Sequence, residues 1–142
     1  MTTEELDAFL AAERTCRVAT RSPSGVHNTP LWFAWDGRAL WLTSIVRSQR
    51  WVDLERDPRV AVVVDAGERY TELRGAELTG SVQRVGEAPR PVDAAPDPEL
   101  AGAERLFADR YSNGTFVDDG RHGWLRVVPD KIVSWDFRKA FP

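Results

Sequence analysis

Between Cys16 and Ser44 the chain passes through three strand-like stretches with almost nothing between them. Cys16–Thr20 alternates apolar and polar residues, Ser22-Pro23-Ser24-Gly25 reads as a turn, and His27–Trp35 reads as a second strand. Asp36-Gly37 is a hairpin signal, and Ala39–Ser44 is the partner strand. Connections this short join antiparallel neighbours, because parallel strands need a long crossover. The chain is thereby directed toward a meander or a barrel.

The remaining segments extend that pattern. Thr2 and Glu5 fit a capping box ahead of Leu6, Phe9 and Leu10, which predicts a helix over residues 3–13. Ser48 can cap a short helix that Asp57-Pro58 stops. Arg59–Ala66, RVAVVVDA, is a nearly continuous apolar run, the mark of a buried strand. Thr71–Val85 reads as a long or bent strand with Gly75 and Gly80 as bulge or corner positions. Residues 86–98 read as a loop. A helix starts at Asp97-Pro98 and ends at Asn113-Gly114, and the last segment offers two strand pieces around a turn at Pro129-Asp130. No repeat or linker interrupts the chain, so residues 1–142 are expected to form one domain.

Composition narrows the function. A net charge of −3 provides no field to draw the chain to nucleic acid or an acidic membrane. The basic residues are nearly all arginine, with only Lys131 and Lys139 as lysines, and arginine favours fixed, fork-shaped phosphate contacts. One cysteine, Cys16, excludes an intramolecular disulfide and a cysteine-based zinc site. Cys16, His27 and His122 lack ligand spacing, so no metal is expected. His122 falls in a polar loop, and His27, at a strand start, reads as structural or as facing a ligand. The acidic, amphipathic N-terminus is unlike a signal peptide, no apolar run is of membrane-spanning length, and a cytoplasmic location is expected. There is no Gly-rich dinucleotide loop, phosphate-binding Walker loop or nucleophile elbow, and no residue is marked as catalytic.

The stretch that carries chemistry is residues 43–58, TSIVRSQRWVDLERDP. A strand ends in Thr43 and Ser44, a loop brings Arg47, and a helix begins at Ser48 with Gln49 and Arg50 in its first turn. Arginine there opposes the helix dipole unless an anion is present. The hydroxyls of Ser44 and Ser48 with the guanidiniums of Arg47 and Arg50 would complete a phosphate cradle. The spacing alone favours solvated surface arginines.

The order of elements in HNTPLWFAWDG, ALWLTS and SQRWVDLERDPRVAVVV resembles the core of the pyridoxamine 5'-phosphate oxidase-like family, including its flavin/deazaflavin oxidoreductase branch. There a strand, an Asp-Gly turn, a strand ending Thr-Asn or Thr-Ser, a short Ser-Arg-Lys helix and an Asn-Pro or Asp-Pro stop precede an apolar strand. Counting back from Asp57-Pro58, Arg50 falls on that family's phosphate-binding lysine and Ser48 on its serine. Gln49 replaces the usual arginine, with Arg47 as a substitute one residue earlier. The resemblance is closest over residues 5–85.

What the resemblance implies is a mainly β (α+β) fold, a six-stranded antiparallel split β-barrel with short flanking helices. It also implies a homodimer with cofactor sites at the subunit interface. The function implied is hydride transfer to or from a small organic substrate by a bound deazaflavin, coenzyme F-420, or by FMN. Cofactor contacts fall on Pro30, Trp32, Thr43, Ser44, Arg47, Ser48, Gln49 and Arg50, with Trp32 beside the ring. The six tryptophans suit either the core or a dimer interface, where Trp135 is the leading candidate. The chain ends WDFRKAFP, without the basic C-terminal extension of true pyridoxamine-phosphate oxidases, which disfavours that activity. A non-enzymatic cofactor- or haem-binding protein of the same fold is the other alternative.

Overall fold

Along residues 15–22 and 59–66 apolar side chains point inward and polar ones outward, so that one face of the sheet is buried around a core. The computed structural model describes residues 1–141. The elements in order are α1 (Thr3–Ala12), β1 (Thr15–Ser22), β2 (Gly25–Trp32), β3 (Ala34–Trp35), β4 (Leu40–Ile45) and α2 (Gln49–Arg56). They continue with β5 (Arg59–Ala66), a 3-10 turn (Tyr70–Glu72), β6 (Arg74–Val85), α3 (Ala101–Tyr111), β7 (His122–Asp136) and a second 3-10 turn (Phe137–Lys139). All strands join one antiparallel sheet in the order β2-β1-β5-β6-β7-β4-β3.

Seven strands thus replace the six expected, for reasons visible in the backbone. The run His27–Trp35 is not one strand. It breaks at Phe33, and its two halves take different partners, β2 pairing with β1 and β3 with β4. At the break the Tyr111 hydroxyl stands in for a strand neighbour: it lies 2.7 Å from the Phe33 carbonyl and accepts from the Phe33 amide at 3.3 Å. The two ends of the sheet are therefore one residue apart in the chain, and the barrel closes there without a ladder. That is its split.

The C-terminal segment departs from expectation in the opposite sense. Pro129-Asp130 is no turn: β7 continues through it, with Thr79 opposite Lys131 and Gly80 opposite Pro129, so that Asp130 is an extra residue. Proline has no N–H for the ladder, and a bulge absorbs the defect. Gly80 is required there, because a Cβ would lie 2.2 Å from the Val128 carbonyl oxygen. The other boundaries shift slightly. β6 begins at Arg74 rather than Thr71, because Tyr70–Glu72 turn, and α3 begins at Ala101 after a turn in which Ala101 N–H donates to the Asp97 carbonyl. The Thr2–Glu5 capping box, the Ser48 cap and the Asp36 turn form as the sequence indicates.

Two cores result. Cys16, Val18, Leu40, Leu42, Val60, Val62, Val64, Leu78, Leu125 and Val127 fill the barrel, with Phe9 and Leu10 of α1 and Trp51 and Leu54 of α2 packed against it. Trp41 and Trp124 project to the opposite face of β4 and β7, where α3 covers them with Ala103 and Phe107. Burial pushes the Cys16 thiol up to about 12, which leaves it a small apolar filler rather than a nucleophile.

The loop after β6 is tied to α3 by Arg90, which is 5% exposed. Its Nε lies 3.1 Å from Asp118 and 3.3 Å from Glu104, and its Nη2 donates to the Ala95 carbonyl. One guanidinium thus serves two acids. Burial first, then the charges of Asp118 and Asp97, push Glu104 above the usual carboxylate range despite Arg90. A raised carboxyl pKa means that ionising Glu104 weakens the fold, a cost present at neutral pH and absent once the group is protonated. Glu104→Gln is therefore expected to hold or raise the melting temperature at pH 7.5 and to have no effect near pH 4. Thermal melts at the two pH values check this, and a lower melting temperature at pH 7.5 would contradict it.

Candidate functional site

Ser44, next to last in β4, faces into the barrel, while Thr43 beside it faces out, because successive strand residues point to opposite faces. The loop after β4 then turns the chain into α2. Ser48 caps that helix, its Oγ accepting from the Trp51 amide at 3.2 Å. The amides of Gln49 and Arg50 have no intrahelical acceptor, as at any helix start. No acidic residue occupies this first turn.

Arg50 runs back across that helix end. Its Nη1 donates to Ser44 Oγ at 3.1 Å and its Nη2 to Thr29 Oγ1 at 2.7 Å, while Ser44 and Ser48 hydroxyls lie 3.2 Å apart. Its Nε is buried with no partner. Among the described residues Arg50 takes no carboxylate, and burial pulls its guanidinium below the ordinary arginine value. A half-buried cation held only by hydroxyls, at the positive end of a helix, has the chemistry that suits an anion. A phosphate oxygen fits these donors.

Of the expected contact residues, the fold brings Ser44, Ser48 and Arg50 together and adds Thr29. Pro30, Trp32 and Thr43 form a second group on the outer side of the split, where they border a groove of about 400 Å³ with His122. Trp32 stacks on Tyr111 at 4.4 Å and 7° between planes, leaving its other side open, and it is 56% exposed. Arg47 stays exposed on the loop before Ser48 and takes no carboxylate among the described residues. Gln49 turns away, donating to Asp53 Oδ1 at 2.7 Å.

Asp53 itself is fully buried, one helical turn behind Arg50. It accepts from Thr20 at 2.7 Å and meets His27 Nδ1 at 2.9 Å. Burial works to raise its pKa, but the hydrogen bonds from Gln49, Thr20 and His27 outweigh it and hold the carboxyl below the usual range. This network locks α2 to β1 and β2, and with them the relation of Arg50 to Thr29. Its parts are far apart in sequence. The one available sign was Gln49 four residues before Asp53, a spacing at which two helical side chains meet.

Comparison with known proteins fits this geometry. The family model described as pyridoxamine 5'-phosphate oxidase matches residues 2–136. A conserved hypothetical protein from Mycobacterium tuberculosis is 31% identical, with a TM-score of 0.81, over 100% of this chain and 89% of that one. A structure described as an F-420 reductase is 26% identical, with a TM-score of 0.64, over 89% of this chain and 94% of that one. The FAD-binding protein of Mycobacterium smegmatis shares the fold at 16% identity and a TM-score of 0.69, over 97% and 98% of the two chains. A search of curated proteins finds no match. No helix among the described residues is long and apolar enough to cross a membrane. With its matching model spanning nearly the whole sequence, the chain belongs to the pyridoxamine 5'-phosphate oxidase family.

Proposed function

We propose that the protein is an oxidoreductase that anchors a flavin-type cofactor by its phosphate at the start of α2, and that this cofactor is coenzyme F-420 in preference to FMN. The observation that carries the reading is Arg50: a half-buried guanidinium with an unpartnered Nε, bound only by Ser44 and Thr29 at a helix N-terminus. Ser48 and the first amides of α2 complete the anchor. Pro30, Trp32 and Thr43 would line the ring, whose bound form supplies the hydride chemistry. The protein's own part is to hold the phosphate, offer the face of Trp32 and keep water from the groove.

The preference for F-420 rests on its carboxylate tail, on the exposed Arg47 beside the anchor and on the likeness to a structure described as an F-420 reductase. Both cofactors present a phosphate, so the anchor contributes similarly to each. Tail contacts at the surface are worth about 0–1 kcal/mol each and are screened by salt. Side-by-side titrations are expected to show tighter F-420 binding at low salt and a gap that narrows as salt rises. Tighter FMN binding at every salt concentration would reverse the assignment.

We also propose that the working form is a homodimer. Trp32 lies open beside the groove, and Val26 and Val133 are exposed at 72% and 45% on the sheet. Trp135 lies over Gly75, where a Cβ would meet its ring at 2.5 Å, and its half-exposed remainder is available to a partner. Sedimentation at micromolar concentration is expected to give a dimer. A monomer with cofactor bound would refute this.

A further inference from the structure

A second cavity, of about 230 Å³, opens on the far side of Trp32 between α3, β4 and the start of β7. Five rings wall it: Trp32, Phe107, Tyr111, Phe116 and Trp124. They converge from different directions, with Phe107 edge-on to Trp124 at 5.0 Å and 88° and Phe116 tilted against it at 5.2 Å. Among the described residues, the acidic side chains on the wall are Asp118 and Asp119, with His122 beside them.

Balance of charge decides what such a space accepts. In this arginine-rich chain neither arginine nor lysine lines the cavity. Arg90 lies behind it, already shared between Asp118 and Glu104. Arg14 and Arg110 are held over the Tyr111 ring outside the lining. Asp119 binds His122 Nδ1 at 2.6 Å, and its carboxyl also receives the Arg121 and His122 amides. Three acids, Glu104, Asp118 and Asp119, thus face one buried guanidinium and one imidazole. Burial first, and Asp119 to a smaller degree, push the Asp118 carboxyl above the usual carboxylate range, while Arg90 works against both. Aromatic faces carry negative potential as well.

We infer that this cavity binds a small organic cation, an alkyl- or arylammonium group enclosed by the rings and balanced by Asp118 and Asp119. Because the cavity shares Trp32, Thr43 and His122 with the groove assigned to the cofactor ring, its ligand would lie next to that ring. That location beside the ring rests on the oxidoreductase reading, whereas cation binding does not.

The test uses cofactor-free protein, so its outcome is separate from that of the phosphate anchor. Choline and its uncharged isostere 3,3-dimethylbutan-1-ol are titrated calorimetrically into wild type, Phe116→Leu and Asp119→Asn. Folding of each variant is verified by thermal melt. Choline is expected to bind about five- to thirtyfold more tightly than the isostere, with Phe116→Leu and Asp119→Asn each removing most of that difference. Phe116 and Asp119 are not fully buried, so two independent variants carry the test if one fails to fold. Equal binding of the two probes, no choline binding at millimolar concentration, or full choline preference in both variants overturns the inference.

Discussion

Arg50→Ala is expected to weaken binding of a phosphate-bearing flavin or deazaflavin about ten- to a hundredfold. A hydrogen bond to a charged group contributes roughly 1.5–3 kcal/mol, and Arg50 is the cation that the fold aims at the start of α2 through Ser44 and Thr29. Arg50→Lys keeps the charge but not the fork, so it should restore part of the loss. Arg47→Ala should cost less, since an exposed pair contributes about 0–1 kcal/mol. Isothermal titration of the three variants measures the order. If Arg50→Ala and Arg47→Ala both bound like wild type, the phosphate would lie elsewhere.

The largest stability effect is expected at Trp124, which is 1% exposed and joins α3 to the sheet through Trp41, Phe107 and Phe116. Truncating a buried large aromatic costs about 3–5 kcal/mol. For a chain of this size that lowers the melting temperature by roughly 6–20 °C. Trp32→Ala, at a position more than half exposed, should change it far less while altering the groove. Denaturant unfolding of both variants tests the contrast, and a Trp124→Ala loss below about 1 kcal/mol would show that α3 is held by other contacts.

The local chemistry of this fold was legible because it is written in neighbouring residues. Thr2 with Glu5, Asp36-Gly37, Ser48 and Asp57-Pro58 each set an element boundary within a few positions, and all appear where the sequence put them. Ser44, Ser48 and Arg50 could be grouped for the same reason. What escaped depends on distant partners. The break at Phe33 needs Tyr111, seventy-eight residues away, and an unbroken apolar run carries no mark of it. Pro129-Asp130 looks like a turn until β6 lies alongside and makes it a bulge. Thr29 became part of the anchor only when β2 came beside α2, and Asp53 became intelligible only with Thr20 and His27 around it.

The seam at Phe33 has a mechanical meaning. Elsewhere, parting two strands of this sheet would break backbone hydrogen bonds one after another. Between β2 and β4, which lie near opposite ends of the strand order, there is no ladder to unzip. What spans the seam is side-chain contact, including the Arg50 bridge from Ser44 to Thr29, and the covalent stitch at Phe33 limits how far the lips part. The body of the barrel can therefore remain stiff while its seam is compliant.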